Sequence, residues 1–198
     1  MRQPAVALAL IDSGRTKAFV ANIARWQNLT TEVACRLVKA GHAELVMSWP
    51  ARFGTLDESV ALALISVGEY EYVERFPEIF SGLGMATVKE LVRCGRQASA
   101  AWNANHFQGI DYDEMALTLI DNMAMHALIA NLDKFPKLGR RVAEALIQKG
   151  QAFHVADKAN KFKGMDSQMV KELHDRGFAR QLAWYGLGVA EAEEDVEE

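Results

Sequence analysis

The chain has 198 residues, half of them apolar and 24% charged, with 4 Pro, 14 Gly and 2 Cys. That composition can bury a core and excludes disordered, collagen-like and Pro-rich polymers. Net charge is −4, but residues 191–198 alone carry −6, so the remainder stands at +2, a balance that argues neither for nor against a nucleic-acid partner.

At the N-terminus, Met1-Arg2-Gln3-Pro4 followed by Ala5 to Ile11 imitates a secretory signal, with one basic residue and a short apolar run. Asp12 closes that run without a small-residue cleavage site, so the segment is expected to be the first helix of the fold. No stretch approaches the ~18 apolar residues of a membrane span. Cys35 and Cys94 have no partner motif and read as thiols of a cytoplasmic, reducing environment.

From there the chain repeats. Aligning Leu29, Leu56, Leu83, Ile110, Leu138 and Met165 gives intervals of 27, 27, 27, 28 and 27 residues. With those residues as position 27, seven units occupy 3–29, 30–56, 57–83, 84–110, 111–138, 139–165 and 166–192. Position 8 is leucine throughout: Leu10, Leu37, Leu64, Leu91, Leu119, Leu146 and Leu173. Position 12 is Gly14, Gly41, Gly68, Gly95, Met123, Gly150 and Gly177. Position 24 is Trp26, Phe53, Phe80, Phe107, Phe135, Phe162 and Val189, and position 5 is always Ala or Val. The reading is one repeat domain over 1–190, then an acidic, disordered tail over 191–198.

Each unit predicts a helical hairpin. In the third, Val60, Ala61, Leu64 and Ile65 lie at helical spacing, giving a first helix of roughly ten residues. Thr30, Asp57 and Asp166 at position 1 suit N-caps, and the glycine at position 12 suits a left-handed residue that ends the helix. A second helix carries apolar positions 17, 21 and 24, and Gly82, Gly109 and Gly164 at position 26 end it. Pro50 and Pro77 at position 21 must bend or restart it, since proline has no N–H to donate. No alternation suggests strands. Short hairpins cannot bury both apolar faces alone, so the units must stack. The fold class expected is all-α: an alpha-solenoid of about seven 27-residue hairpins forming a curved superhelical rod.

This pattern resembles the short-repeat members of the HEAT and armadillo group of helical-hairpin solenoids. The resemblance is one of architecture, covers almost the whole chain, and implies an extended binding scaffold without naming its partner.

Catalytic and metal motifs are missing from the sequence. His42, His106, His126, His154 and His174 never fall at i, i+4, so zincin and finger sites are absent. Gly82-Leu83-Gly84 and Gly186-Leu187-Gly188 complete no phosphate-binding motif, and no nucleophile elbow exists. Asp57, Glu58, Asp113 and Glu114 fall at helix starts, where they complement the macrodipole. No cofactor or metal is expected, and the chain reads as a non-enzyme. HEAT-type DNA glycosylases keep an enzyme assembled across units as the lesser alternative.

Binding residues are sought where the repeat varies. Position 20 is Asn22, Trp49, Phe76, Asn103, Asn131, Lys158 and Tyr185, at the edge of the apolar stripe. Its asparagines are similar to the asparagine ladder of armadillo proteins, which holds a peptide backbone through side-chain amides; they could equally tie the second helix to a neighbouring unit. Position 23 supplies Arg25, Arg52, Lys134 and Lys161, either a basic line along one face or charges that complement helix C-termini. Unit three has net charge −5 while 139–180 has +4, and Trp49, Tyr70, Tyr72 and Phe76 cluster in units two and three as interface hot spots do.

The sequence thus points to a scaffold that binds a protein or extended peptide along its concave surface. The alternative is a nucleic-acid-binding solenoid, since a glycine loop between short helices is similar to the repeats of transcription-activator-like effectors. Against that alternative, positions 10 and 11 are mixed in character and the pI is near 5.8. Finally, Pro4 to Ile11 is apolar all round, so this helix is expected to be covered, most simply by the same helix of a second copy in a homodimer, or else by a different partner or by further repeats upstream.

Overall fold

The computed structural model describes residues 3–188. The acidic segment 191–198, expected to be a tail, and Val189 lie outside the described residues. The chain is mostly helical and clusters into two compact units, Met1–Asp111 and Tyr112–Glu198. The boundary falls at Asp111, in the repeat that is one residue longer than the others. The first unit holds α1 (Gln3–Asp12), α2 (Thr16–Val20), α3 (Thr31–Lys39), α4 (Ala43–Ser48), α5 (Glu58–Ser66), α6 (Glu71–Arg75), α7 (Met85–Arg93) and α8 (Gln97–Trp102). The second holds α9 (Tyr112–Asp121), α10 (Met125–Ala130), α11 (Arg140–Gln148), α12 (Ala152–Asp157), α13 (Ser167–Leu173) and α14 (Ala179–Ala183). Odd-numbered helices are the first of each repeat, even-numbered the second. Within the first unit α1 packs on α3, α3 on α5 and α5 on α7; within the second α9 packs on α11.

The first helix stops for a reason visible in the backbone. In six repeats the N–H of position 13 returns to the carbonyl of the position-8 leucine, as from His42 to Leu37 at 2.9 Å and from Ala124 to Leu119 at 2.8 Å. The N–H of position 12 bonds to position 9, as from Gly41 to Val38 at 3.0 Å. This pair of bonds is the Schellman ending, and it needs a left-handed residue at position 12. All seven repeats have one, with φ from 60° at Met123 to 91° at Gly177. Met123 takes this conformation without glycine's freedom and is 87% exposed. From Leu37 onward the position-8 leucines are buried, as are all seven residues at position 5.

The second helix is shorter than its apolar spacing predicts. It ends near position 19; position 20 then adopts a bridging conformation (φ −132°, ψ 46° at Trp49; φ −95°, ψ 16° at Asn103), and a 3-10 turn follows. Proline at position 21 cannot be the general cause, because Asn103 and Asn131 break their helices with Ala104 and Leu132 following. Asparagine itself tolerates the bridging region. At Asn22 and Asn131 the backbone N–H tightens to the i−3 carbonyl. The side-chain amide then takes the i−4 carbonyl so released, that of Ala18 at 3.0 Å and of Ala127 at 2.8 Å.

Position 24 is therefore extended, as at Phe107 (φ −78°, ψ 140°), and the expectation of no strand needs correction. Backbone groups freed from the helix must be satisfied, and they pair with the neighbouring repeat. Strand β1 (Leu56–Asp57) pairs in parallel with β2 (Phe80–Ser81), Leu56 opposite Phe80, and Leu138 bridges Phe162 in the same register. Leu29 N–H donates to Arg52 O at 2.8 Å and Gln108 N–H to Leu83 O at 2.7 Å, so position 27 of one repeat meets positions 23–25 of the next. Gly82, Gly109 and Gly164 turn the chain after this extended segment and do not end a helix.

Helix starts are capped by two routes. Asp57 and Asp166 cap their own helices, accepting from Ser59 N–H at 3.0 Å and Met169 N–H at 2.9 Å. Thr30 stands at the N-cap of α3 but makes no side-chain capping bond. Where the N-cap is glycine, the preceding repeat supplies the carboxylate. Glu58 Oε1 accepts from Gly84 N–H (2.8 Å), Thr87 N–H (3.1 Å) and Thr87 Oγ1 (2.9 Å), and Asp113 Oδ1 accepts from Gly139 N–H (2.7 Å). A Cβ at Gly139 would collide with the Asp113 carboxylate, so the incoming acid requires glycine there.

Candidate functional site

The structure divides the position-20 residues by role. Asn103 is buried, and its amide crosses to Glu74 O of the preceding repeat at 2.9 Å. That carbonyl lies in the last turn of α6, and Pro77 three residues on offers it no N–H, so Asn103 supplies the missing donor. Tyr185 does the same for Asp157 O, its hydroxyl donating at 2.6 Å at the break where Lys158 holds position 20. Asn22 and Asn131 bond within their own helices. Trp49 and Phe76 instead face outward, 42% and 46% exposed.

Position 23 also reaches toward neighbours. Arg52 donates to Trp26 O at 2.7 Å and lies 5.2 Å from the Trp49 ring centroid, and Lys161 sits 3.5 Å from Asp133 Oδ1. Arg25 is exposed and Lys134 half-buried.

In the first unit, Trp49 and Phe76 border three concavities in series. One is lined by Gln27, Ser48, Trp49, Pro50 and Arg52 and holds about 480 Å³. The next, about 370 Å³, shares Ser48 and Pro50 and adds Glu44, Met47, Tyr72, Phe76 and Ile79. The third, about 280 Å³, shares Tyr72 and Phe76 and adds Glu69, Tyr70, Glu71 and Arg75. Glu44 and Met47 escaped the sequence reading because positions 15 and 18 were not among the variable positions it followed, and Ile79 because only the cations of position 23 were singled out. The spacing of Glu44 from Met47 and Ser48, on one face of α4, was the available signal.

Around Tyr72, between the second and third concavities, acids predominate. Burial raises the Tyr72 phenol above its ordinary value, and Glu69, Glu44 and Glu71 push it further in the same direction. Beside the groove, burial alone would raise the Glu74 carboxyl. The hydrogen bonds from Arg96 and Ser99 and the charges of Arg96 and Arg75 outweigh it and hold that carboxyl below its usual range. Arg96 grips Glu74 with two bonds, 2.5 and 2.6 Å, while its guanidinium lies 4.5 Å from the Tyr70 ring centroid.

Among the described residues no group of three His, Cys, Asp or Glu is placed to hold a metal ion, and no helix is long and apolar enough to cross a membrane. No family model, curated protein or solved structure matches the chain.

Proposed function

We propose that the chain is an alpha-solenoid of about seven 27-residue repeats that acts without catalysis, as a scaffold for a protein or an extended peptide. The observation that carries this reading is the outward placement of Trp49 and Phe76, one repeat apart at the same repeat position, along contiguous grooves. From the second repeat on, positions 4, 5 and 8 are consumed by packing, whereas large exposed aromatics beside a concavity are what interface centres use. The persistence of the 27-residue period on both sides of Asp111 supports one continuous run of repeats.

The test is binding of the intact protein to an immobilised library of random extended peptides. Trp49→Ala and Phe76→Ala should each weaken capture about tenfold, the scale of one interface hot spot, with melting nearly unchanged. Affinity for random nucleic acid at low salt that collapses as salt rises, with no peptide captured, would favour the nucleic-acid reading instead.

The N-terminal helix supports homodimerisation as a second mode of association. α1 buries Ala7 and Ile11 but leaves Val6 48% exposed, above a groove of about 580 Å³ lined by Leu10, Ala18 and Trp26 among others. Light scattering should show a dimer that Val6→Glu dissociates; a monomer at every concentration removes this mode.

A further inference from the structure

We infer that the groove over repeats two and three takes a cationic segment: an extended peptide that seats a lysine or arginine side chain against Phe76 and Tyr72, within reach of Glu44, Glu69 and Glu71. This rests on the peptide-binding reading above and names the chemistry of the partner.

Three observations converge on it. The walls are aromatic and half-exposed, and the face of an aromatic ring attracts a cation. The charge is complementary: residues 57–83 carry net −5, and the raised Tyr72 phenol reports that Glu44, Glu69 and Glu71 act together on the middle of the groove. Glu71 is answered by Arg75 at 3.4 Å, whereas Glu44 and Glu69 have no ion-pair partner among the described residues. The chain also shows the arrangement once with a residue of its own. Arg96 lies over the Tyr70 ring and is held by the Glu74 carboxylate, so an arginine between a ring and an acid already fits this surface one step away.

Shape favours a peptide over a small ammonium ion. The three concavities share Ser48 with Pro50 and then Tyr72 with Phe76, a series that one cation would fill only in part. In the second and third concavities nucleic acid would meet Glu44, Glu69 and Glu71 against Arg75 alone, the wrong balance for its phosphates.

The experiment is fluorescence anisotropy of the intact chain with three labelled peptides of one sequence, differing in whether alternate positions hold Arg, Gln or Glu. The Arg peptide should bind tightest and weaken with salt. Glu44→Gln combined with Glu69→Gln should lower its affinity about three- to tenfold, as expected for two exposed charges, with the circular dichroism spectrum unchanged. Equal binding of the Gln peptide, or no effect of the double substitution, overturns the cationic assignment while peptide binding itself stands. Failure to bind all three peptides and every member of the random library defeats the peptide reading, and this inference with it. A doubled mass by light scattering that Phe76→Ala abolishes and the Arg peptide leaves untouched also overturns it, because a second copy then fills the groove.

Discussion

Glu58→Ala should be among the more damaging substitutions at any charged position of this chain. One oxygen, Glu58 Oε1, accepts from Gly84 N–H, Thr87 N–H and the Thr87 hydroxyl, and Thr87 is fully buried. Losing a cap from α7 costs about 1 kcal/mol, and stranding the buried Thr87 hydroxyl adds about 1–3, so the total is about 2–4 kcal/mol. Glu58→Gln retains an accepting oxygen and should cost about 1 kcal/mol. The informative partner is Gly84→Asp, which imports the self-capping arrangement of Asp57 and Asp166. Gly84 has extended backbone that aspartate adopts without strain (φ −131°, ψ −162°). In the Glu58→Ala background it should recover about 1 kcal/mol. In the parent chain it should destabilise, because its Cβ would sit 3.3 Å from Glu58 Oε1 and bring a second carboxylate beside the first. Urea unfolding at constant m-value measures all four chains. A Glu58→Ala cost under about 0.5 kcal/mol, typical of an ordinary surface change, or the same sign for Gly84→Asp in both backgrounds, would refute capping from the neighbouring repeat.

Met123→Gly should raise stability by about 0.5–1 kcal/mol by relieving a left-handed residue that is already open to solvent; a lowered melting temperature would contradict this. Leu64→Ala and Leu91→Ala should each cost about 2–5 kcal/mol in thermal unfolding, and small effects at both would break the repeat register. The Glu74 carboxyl is held below its ordinary 4.5, so its contribution is complete above that value and is lost as pH falls through the lower, folded one. Glu74→Gln should therefore lower the melting temperature at neutral pH and flatten its decline in acid; parallel acid limbs for the two proteins would exclude the linkage.

The first helix of each repeat was legible because one signal served two purposes. Leucine at position 8 marks the buried stripe and also fixes the carbonyl that the Schellman ending uses, so periodicity and stop signal agree. Met123 kept the same backbone without the glycine that announces it, because the same pair of bonds, Ala124 N–H to Leu119 O and Met123 N–H to Ile120 O, closes its helix. The second helix was over-read. Residues at positions 17, 21 and 24 are buried in both a continuous helix and a helix broken at position 20, so burial spacing does not distinguish the two. Asn22, Asn103 and Asn131 held the clue, as residues that favour the bridging conformation, but their amides suggested recognition first. Of the site, the aromatics Trp49, Tyr70, Tyr72 and Phe76 were visible by type. Glu44, 32 residues from Phe76, was not, because only stacking of successive repeats brings it to the same groove.

Capping by the preceding repeat also bears on how such a chain can lengthen or shorten by recombination. Repeat three carries its own cap in Asp57 and donates Glu58 forward, so an in-register duplication of 57–83 caps every helix start but sets the first copy's Glu58 against the second copy's Asp57, the same crowding of carboxylates as in Gly84→Asp. Duplicating 84–110 would place a second Gly84 behind Met85, which has no oxygen to offer, and deleting 57–83 would leave Gly84 facing Thr31. The heritable module is then not one hairpin but a donor and its acceptor, Glu58 with Gly84 and Asp113 with Gly139. Crossovers that separate them produce arrays whose period is intact and whose helices begin without an anchor.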